Sequence, residues 1–190
     1  MDAGPGEITE ILKDVSADSP GAVDRLLEVV GDQLRRRADH KLAELPPWRT
    51  LDPTDLVNEL YVRLFGEGRT TDWENRRHFF MTASRAMRDI IVERARRATT
   101  LKRGGAMNRV PLQEDNIAAE DPAHVIVIHE TLLVLDRIRP RAVQVVQLRY
   151  FAGMTEEEAA RIMGVSKATV KREFALARGW LREKLVTPDD

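Results

Sequence analysis

The side chains with the clearest chemical purpose lie near the carboxyl end, in TEEEAARIMGVSKATVKREFALARGWL, which begins at Thr155. Within it, Ser166, Lys167, Ala168, Thr169, Lys171, Arg172 and Arg178 gather hydroxyls and cations on one short stretch. Ammonium and guanidinium groups bind phosphate, and lysine or arginine also pairs with the O6 and N7 acceptors of guanine. Covalent chemistry has no comparable set here. No cysteine occurs, which excludes disulfides, Cys-ligated zinc and thiol catalysis. The four histidines, His40, His78, His124 and His129, show no HExxH or other metal-ligating spacing. No nucleophile–base pair or phosphate loop can be assembled. Neither catalysis nor a cofactor is expected.

Two short helices must position those cations. Thr155 with Glu158 three residues later forms a capping box, so one helix starts there, with Ala159, Ile162 and Met163 inward. Gly164 suits the left-handed residue that ends a helix, and Val165 plugs the turn. Ser166 caps the next helix, whose Val170, Phe174, Ala177 and Leu181 face inward. The pattern is a helix-turn-helix, with the start of its second helix offered to a DNA major groove. The same spacing also fits a plain helical hairpin with a solvated basic face, and pattern alone leaves both open.

The rest of the chain reads as further helices. Charged residues are 32% and hydrophobic ones 43% of 190; Leu, Ala, Arg, Glu and Val dominate, and only five Phe, three Trp and two Tyr appear, a mix that favours helices. Ser19 and Pro20 precede a helical pattern through Val23, Leu26, Leu27, Val30, Leu34, Ala38 and Leu42, broken by PPW at 46–48. Asp52-Pro53-Thr54-Asp55 restarts a helix with Leu56, Val57, Leu60, Tyr61 and Leu64 on one face. GEGRTTDWEN at 66–75 is a loop by composition. Phe79 to Arg97 is helical, with Phe80, Ala83, Met87, Ile90, Ile91 and Ala95 as its buried side. From Thr99 to about Ala123 the periodicity fails; a helix then resumes near Val125 and runs to Arg139, and another spans Arg141–Phe151.

The formal net charge is only −1, yet the charge is segregated. Arg76 to Arg103 holds nine Arg or Lys against Asp89 and Glu93. Val110 to Asp136 holds six acids and no Arg or Lys. Such local excesses make local fields whatever the total. The amino terminus is acidic and lacks a signal-peptide core, and no apolar run approaches the roughly 20 residues of a membrane span. A cytoplasmic, non-membrane protein is expected.

Several stretches together resemble the extracytoplasmic-function (ECF) sigma factors of bacterial RNA polymerase. They are DPTDLVNELYVRLF, then HFFMTASRAMRDIIVERARR with LKRGG, then the helix-turn-helix ending VKREFALARGWL. The resemblance implies an all-α chain of two helical domains joined by a flexible linker. Residues 1–98 would be a sigma-2-like bundle that docks on core polymerase and melts the promoter −10 element. Residues 99–127 would be the acidic linker, and 128–190 a sigma-4-like helix-turn-helix domain that binds the −35 element. The geometry agrees: two turns of B-DNA span roughly 70 Å, and 29 extended residues from Thr99 to Val127 reach about 95 Å.

The same resemblance assigns roles. Ser166, Lys167, Ala168, Thr169, Lys171, Arg172 and Arg178 would bind the −35 element. Trp73, Asn75, Arg76, Arg77, Phe79, Arg85 and Arg88 would bind and melt the −10 element, since aromatics and arginines hold unstacked single strands. Phe80 is assigned to the core. Asp52, Asp55, Asn58 and Glu59 would dock on the β′ clamp, and the β flap would hold the second domain. Thr54 is a candidate phosphosite, where added charge would face the clamp; Thr99 in RRATT also looks like a kinase site. An anti-sigma factor or a Ser/Thr kinase is a further expected partner, and the free chain is expected to be a monomer. His78 and Arg85 stand where many members carry Trp and Asn, and Glu173 and Leu176 stand where many carry arginine, with Leu176 assigned to packing.

Two rival readings stand beside this one. A stand-alone helix-turn-helix regulator would form a dimer on a palindrome, but no dimerisation zipper is seen and the basic helix has no role in it. A helical adaptor binding only protein would make Lys171→Ala and Arg172→Ala harmless.

Overall fold

Ile8, Ile11, Leu12 and Val15 recur at helical spacing. They form the buried side of α1 (Pro5–Ser16) in the computed structural model, which describes residues 5–31, 53–66, 72–101 and 122–186. This helix is absent from the expectations above, although its periodicity is plain. A turn follows in which Asp18 and Gly21 take positive φ values of 52° and 73°. That turn delays α2 (22–31), which starts after Ser19 and Pro20 rather than on them; Ala22 N–H donates to the Ser19 carbonyl at 3.1 Å. The later part of that expected helix, Asp52 and the loop from Arg69 fall outside the described residues.

α3 (Pro53–Phe65) opens with proline in its first turn, where a missing N–H costs nothing. It packs its Leu56, Val57, Leu60 and Leu64 against α4 (Arg76–Leu101). α4 is the pillar of the structure. Phe80, Ala83, Met87, Ile90, Ile91 and Ala95 are buried as expected, but so are Phe79, Met81 and Val92. An apolar surface that broad marks a helix covered on more than one side. α1 and α3 cover part of it, and the carboxyl-terminal helices cover another part.

The first of these, α5 (Pro122–Asp136), starts earlier than the expected Val125 because Pro122 serves as a first-turn residue. It packs against α4 and also against α6 (Pro140–Val146) and α8 (Lys167–Val186), so its sequence is apolar with little sidedness. The expected helix 141–151 is divided: α6 gives way to a π-helical turn, Gln147–Phe151, in which Ala152 N–H reaches back five residues to the Gln147 carbonyl at 3.0 Å. The wider turn buries Leu148, Tyr150 and Phe151 together, and it too packs on α4. α7 (Glu156–Met163) lies against α8 and touches α4. The described residues contain helices and no strand, which matches the all-α expectation, and one continuous apolar cluster runs through both halves.

Where the halves meet, His129 of α5 is buried, and its Nδ1 has no partner among the described residues. Burial lowers its pKa, Arg88 and Arg96 of α4 add to that, and Asp89 and Glu130 oppose it. A solvated imidazole takes a proton near pH 6.5. As pH falls from there toward the lower folded value, the unfolded chain binds more protons than the folded one, so stability is lost; below the folded value the loss is complete. Thermal melting should therefore show wild type losing more stability than His129→Leu between pH 7 and pH 5. Parallel curves would refute this.

Candidate nucleic-acid interface

Local rules build the second helix of the helix-turn-helix. Thr155 and Glu158 form the reciprocal capping box: Glu158 N–H donates to Thr155 Oγ1 at 3.2 Å, and Thr155 N–H donates to Glu158 Oε2 at 2.7 Å. Gly164 ends α7 at φ 66°, ψ 35°, a conformation that glycine adopts without a Cβ penalty. Ser166 Oγ then accepts the Thr169 N–H at 3.1 Å, capping α8. Val170, Ala177 and Leu181 turn inward, which leaves Ser166, Lys167, Ala168, Lys171 and Arg172 exposed on the first turns; Thr169 and Arg178 are half-buried. Of the residues assigned to DNA, these form the best-defined set.

The first turns of α8 also carry ion pairs. Lys167 Nζ binds the Glu157 carboxylate and lies 3.7 Å from Glu156 Oε2; Lys171 Nζ lies 3.7 Å from that same oxygen. The hydrogen bond from Lys167 holds the Glu157 carboxyl below its usual range, and the same bond raises Lys167.

The basic helix α4 is less open than its sequence implies. Asn75 caps it, its Oδ1 accepting the His78 N–H at 2.9 Å. The Arg76 guanidinium sits 5.2 Å from the centre of the Phe80 ring. Arg77 is exposed and reaches Gln144 of α6 at 3.5 Å; Arg85 is exposed. Arg88 is largely covered, its side chain 13% accessible, and it donates twice to Asp89 Oδ1 at 3.0 and 2.9 Å. Trp73 and Phe79 require a correction. Both are core residues, Trp73 at 6% exposure, with ring centres 5.2 Å apart and Trp73 also edge-on to Phe65 and His78. The backbone N–H of Trp73 is fixed on Ser16 Oγ at 2.8 Å. In this arrangement neither ring can stack a flipped base. The aromatic surface that looked suited to single strands is spent on joining α3, the 72–75 segment and α4.

On α3, Thr54, Asp55, Asn58 and Val62 lie on one exposed stripe. Glu59 does not belong to it. It is half-buried and tied to Arg63 at 3.0 Å and across to Arg94 of α4 at 3.0 Å, while Arg63 also holds Glu93 at 2.7 Å. The Arg63 hydrogen bond is the main reason that the Glu93 carboxyl sits below its usual range. This network clamps α3 to α4.

Compared with protein families, residues 5–187 match the model of the ECF sigma factor. The chain belongs to the ECF sigma factor family. A comparison with curated proteins gave no match. As an ECF sigma factor it directs transcription initiation with RNA polymerase and is not an enzyme. Among the described residues no helix is long and apolar enough to cross a membrane, and no cluster of His, Asp and Glu could hold a metal ion.

The sigma factor's surface also carries residues that sequence reasoning missed. Val62 is 61% exposed on the α3 stripe, where helical periodicity had no reason to place an apolar residue outward. Leu133 and Val134 near the end of α5, and Ile138 just after it, are exposed; the uniform hydrophobicity of that segment hid them. Leu176, assigned to packing, is 47% exposed, while Glu173 is buried. The phase of α8, fixed by Val170, Ala177 and Leu181, decides both.

Proposed function

We propose that this sigma factor binds core polymerase and reads a promoter at two places. The amino-terminal turns of α8 read the −35 element, with Lys171 and Arg172 on phosphate or guanine and Ser166, Lys167, Ala168 and Thr169 fitting the groove. The exposed arginines Arg77 and Arg85, with Arg76 and Asn75 beside them, meet the −10 region. Asp55 and Asn58, extended by Val62, dock on the β′ clamp, and the apolar end of α5 suits the β flap. The capped, cation-bearing start of α8 is the observation that carries this reading.

The packing of the carboxyl-terminal helices on α4 adds a condition. Elements roughly 70 Å apart cannot both be reached while α4 and the helix-turn-helix share one core. Polymerase must therefore draw the two halves apart. Run-off transcription from promoter fragments, with core polymerase alone and with the chain added, tests the proposal. New, defined start sites are expected; unchanged initiation would overturn it.

A further inference from the structure

We infer that Glu156 and Glu157 form an anionic clasp that holds Lys167 and Lys171 back from bulk DNA, setting the sequence-independent affinity of the recognition helix. The inference rests on α8 being the DNA-reading element and concerns how strongly it binds.

The geometry follows from the turn. Three glutamates open α7, where acids favour the helix amino terminus. Glu158 spends its carboxylate on the Thr155 N–H in the capping box. Glu156 has no such duty to the cap, and Glu157, whose carboxylate also accepts its own backbone N–H, still reaches Lys167. The left-handed turn at Gly164 folds α8 back so that its first cation lands on them. Lys167 is hydrogen-bonded to Glu157 and flanked by Glu156, and Lys171, one helical turn on, faces Glu156 from 3.7 Å. Glu156 is the more covered of the two acids and serves both lysines; its side chain is 25% accessible.

A phosphate that approaches these lysines meets cations already neutralised by carboxylates. Binding then exchanges one anion for another, and the acids left behind repel the backbone. Non-specific DNA binding is almost wholly this electrostatic term, with log K falling by about 0.9 per phosphate contact for each decade of salt. A clasp on two lysines thus removes up to two such contacts. The benefit to a sigma factor is freedom from the vast excess of non-promoter sites, which compete by number rather than by fit.

The test uses the full chain and a fluorescent random-sequence duplex, titrated at several salt concentrations. The isosteric Glu156→Gln/Glu157→Gln variant keeps Glu158 and hence the capping box. It should bind roughly tenfold or more tightly at ~0.1 M salt, the gain vanishing near 1 M, with a salt slope steeper by up to about 1.8. Adding Lys167→Ala and Lys171→Ala to that background should return affinity and slope to near the wild-type values. Unchanged affinity and slope in the glutamine variant would overturn the clasp. So would a gain that survives loss of both lysines, since it would come from general charge. Glu157→Gln alone, at an exposed position, supplies the same readout at smaller amplitude should the double variant melt early. In parallel, wild-type holoenzyme is assayed on promoter DNA: promoter recognition with no effect of the glutamines defeats only the clasp, whereas no recognition defeats the DNA-reading role of α8.

Discussion

Lys171→Ala/Arg172→Ala is expected to lower promoter-directed initiation by the holoenzyme by about 10- to 100-fold while leaving the fold intact. An arginine that pairs with guanine is worth about 1–3 kcal/mol, and a lysine on phosphate adds about one unit of salt slope. Both side chains are about two-thirds accessible. Their ion-pair contacts are long: Lys171 is 3.7 Å from Glu156, and Arg172 is 3.7 Å from Glu173. The exposed Lys171 pair contributes little to folding, whereas loss of Arg172 takes a cation from beside the buried Glu173 carboxylate. The variant should therefore lose no more than about 1–3 kcal/mol of stability, remain folded and, on the proposed docking of α3, still bind core polymerase. Loss of promoter use with retained polymerase binding is the expected pattern. Unchanged promoter use would favour a helical protein that contacts only protein.

Trp73→Ala should act in the opposite sense, on stability first. Truncating a buried aromatic costs about 3–5 kcal/mol through lost contacts and the cavity left behind. Trp73 touches rings on three sides, at 6.1 Å to Phe65, 5.5 Å to His78 and 5.2 Å to Phe79. Against a total stability of about 5–15 kcal/mol, the loss should shift the denaturant midpoint strongly. Trp73→Phe should lose far less, because the indole Nε1 has no partner among the described residues. A Trp73→Ala chain as stable as wild type but defective in opening promoter DNA would restore the base-stacking role that burial argues against.

What the sequence disclosed depended on how local the controlling physics is. The helix-turn-helix was legible to the residue, because a capping box at Thr155 and Glu158, a left-handed glycine at Gly164 and a serine cap at Ser166 each act within about four residues. The buried face of α4 was legible in part. Phe80, Ala83, Met87, Ile90, Ile91 and Ala95 follow one stripe, but Phe79, Met81 and Val92 are buried because helices from both ends of the chain pack on α4. No local rule announces that docking.

The site residues divide in the same way. Lys171 and Arg172 are exposed because the phase of α8 makes them so. Glu59 looked like docking surface, since a carboxylate on a helix face is usually solvated, but Arg94 reaches it from 35 residues away. Trp73 and Phe79 stood beside arginines, a composition that suits nucleic acid and equally suits a core edge. α1 is legible in the helical spacing of Ile8, Ile11, Leu12 and Val15, although acidic residues dominate the rest of the terminus. The π-helical turn at Gln147–Phe151 has no sequence signature and arises from burying Leu148, Tyr150 and Phe151 together.

Mapping RNA 5′ ends made by core polymerase, without and then with the purified chain, tests most directly whether two DNA-reading halves on one chain set where transcription begins. New start sites that share two upstream sequence blocks about two helical turns apart are the predicted result. The same starts as core polymerase alone, or starts with a single shared block, would contradict it.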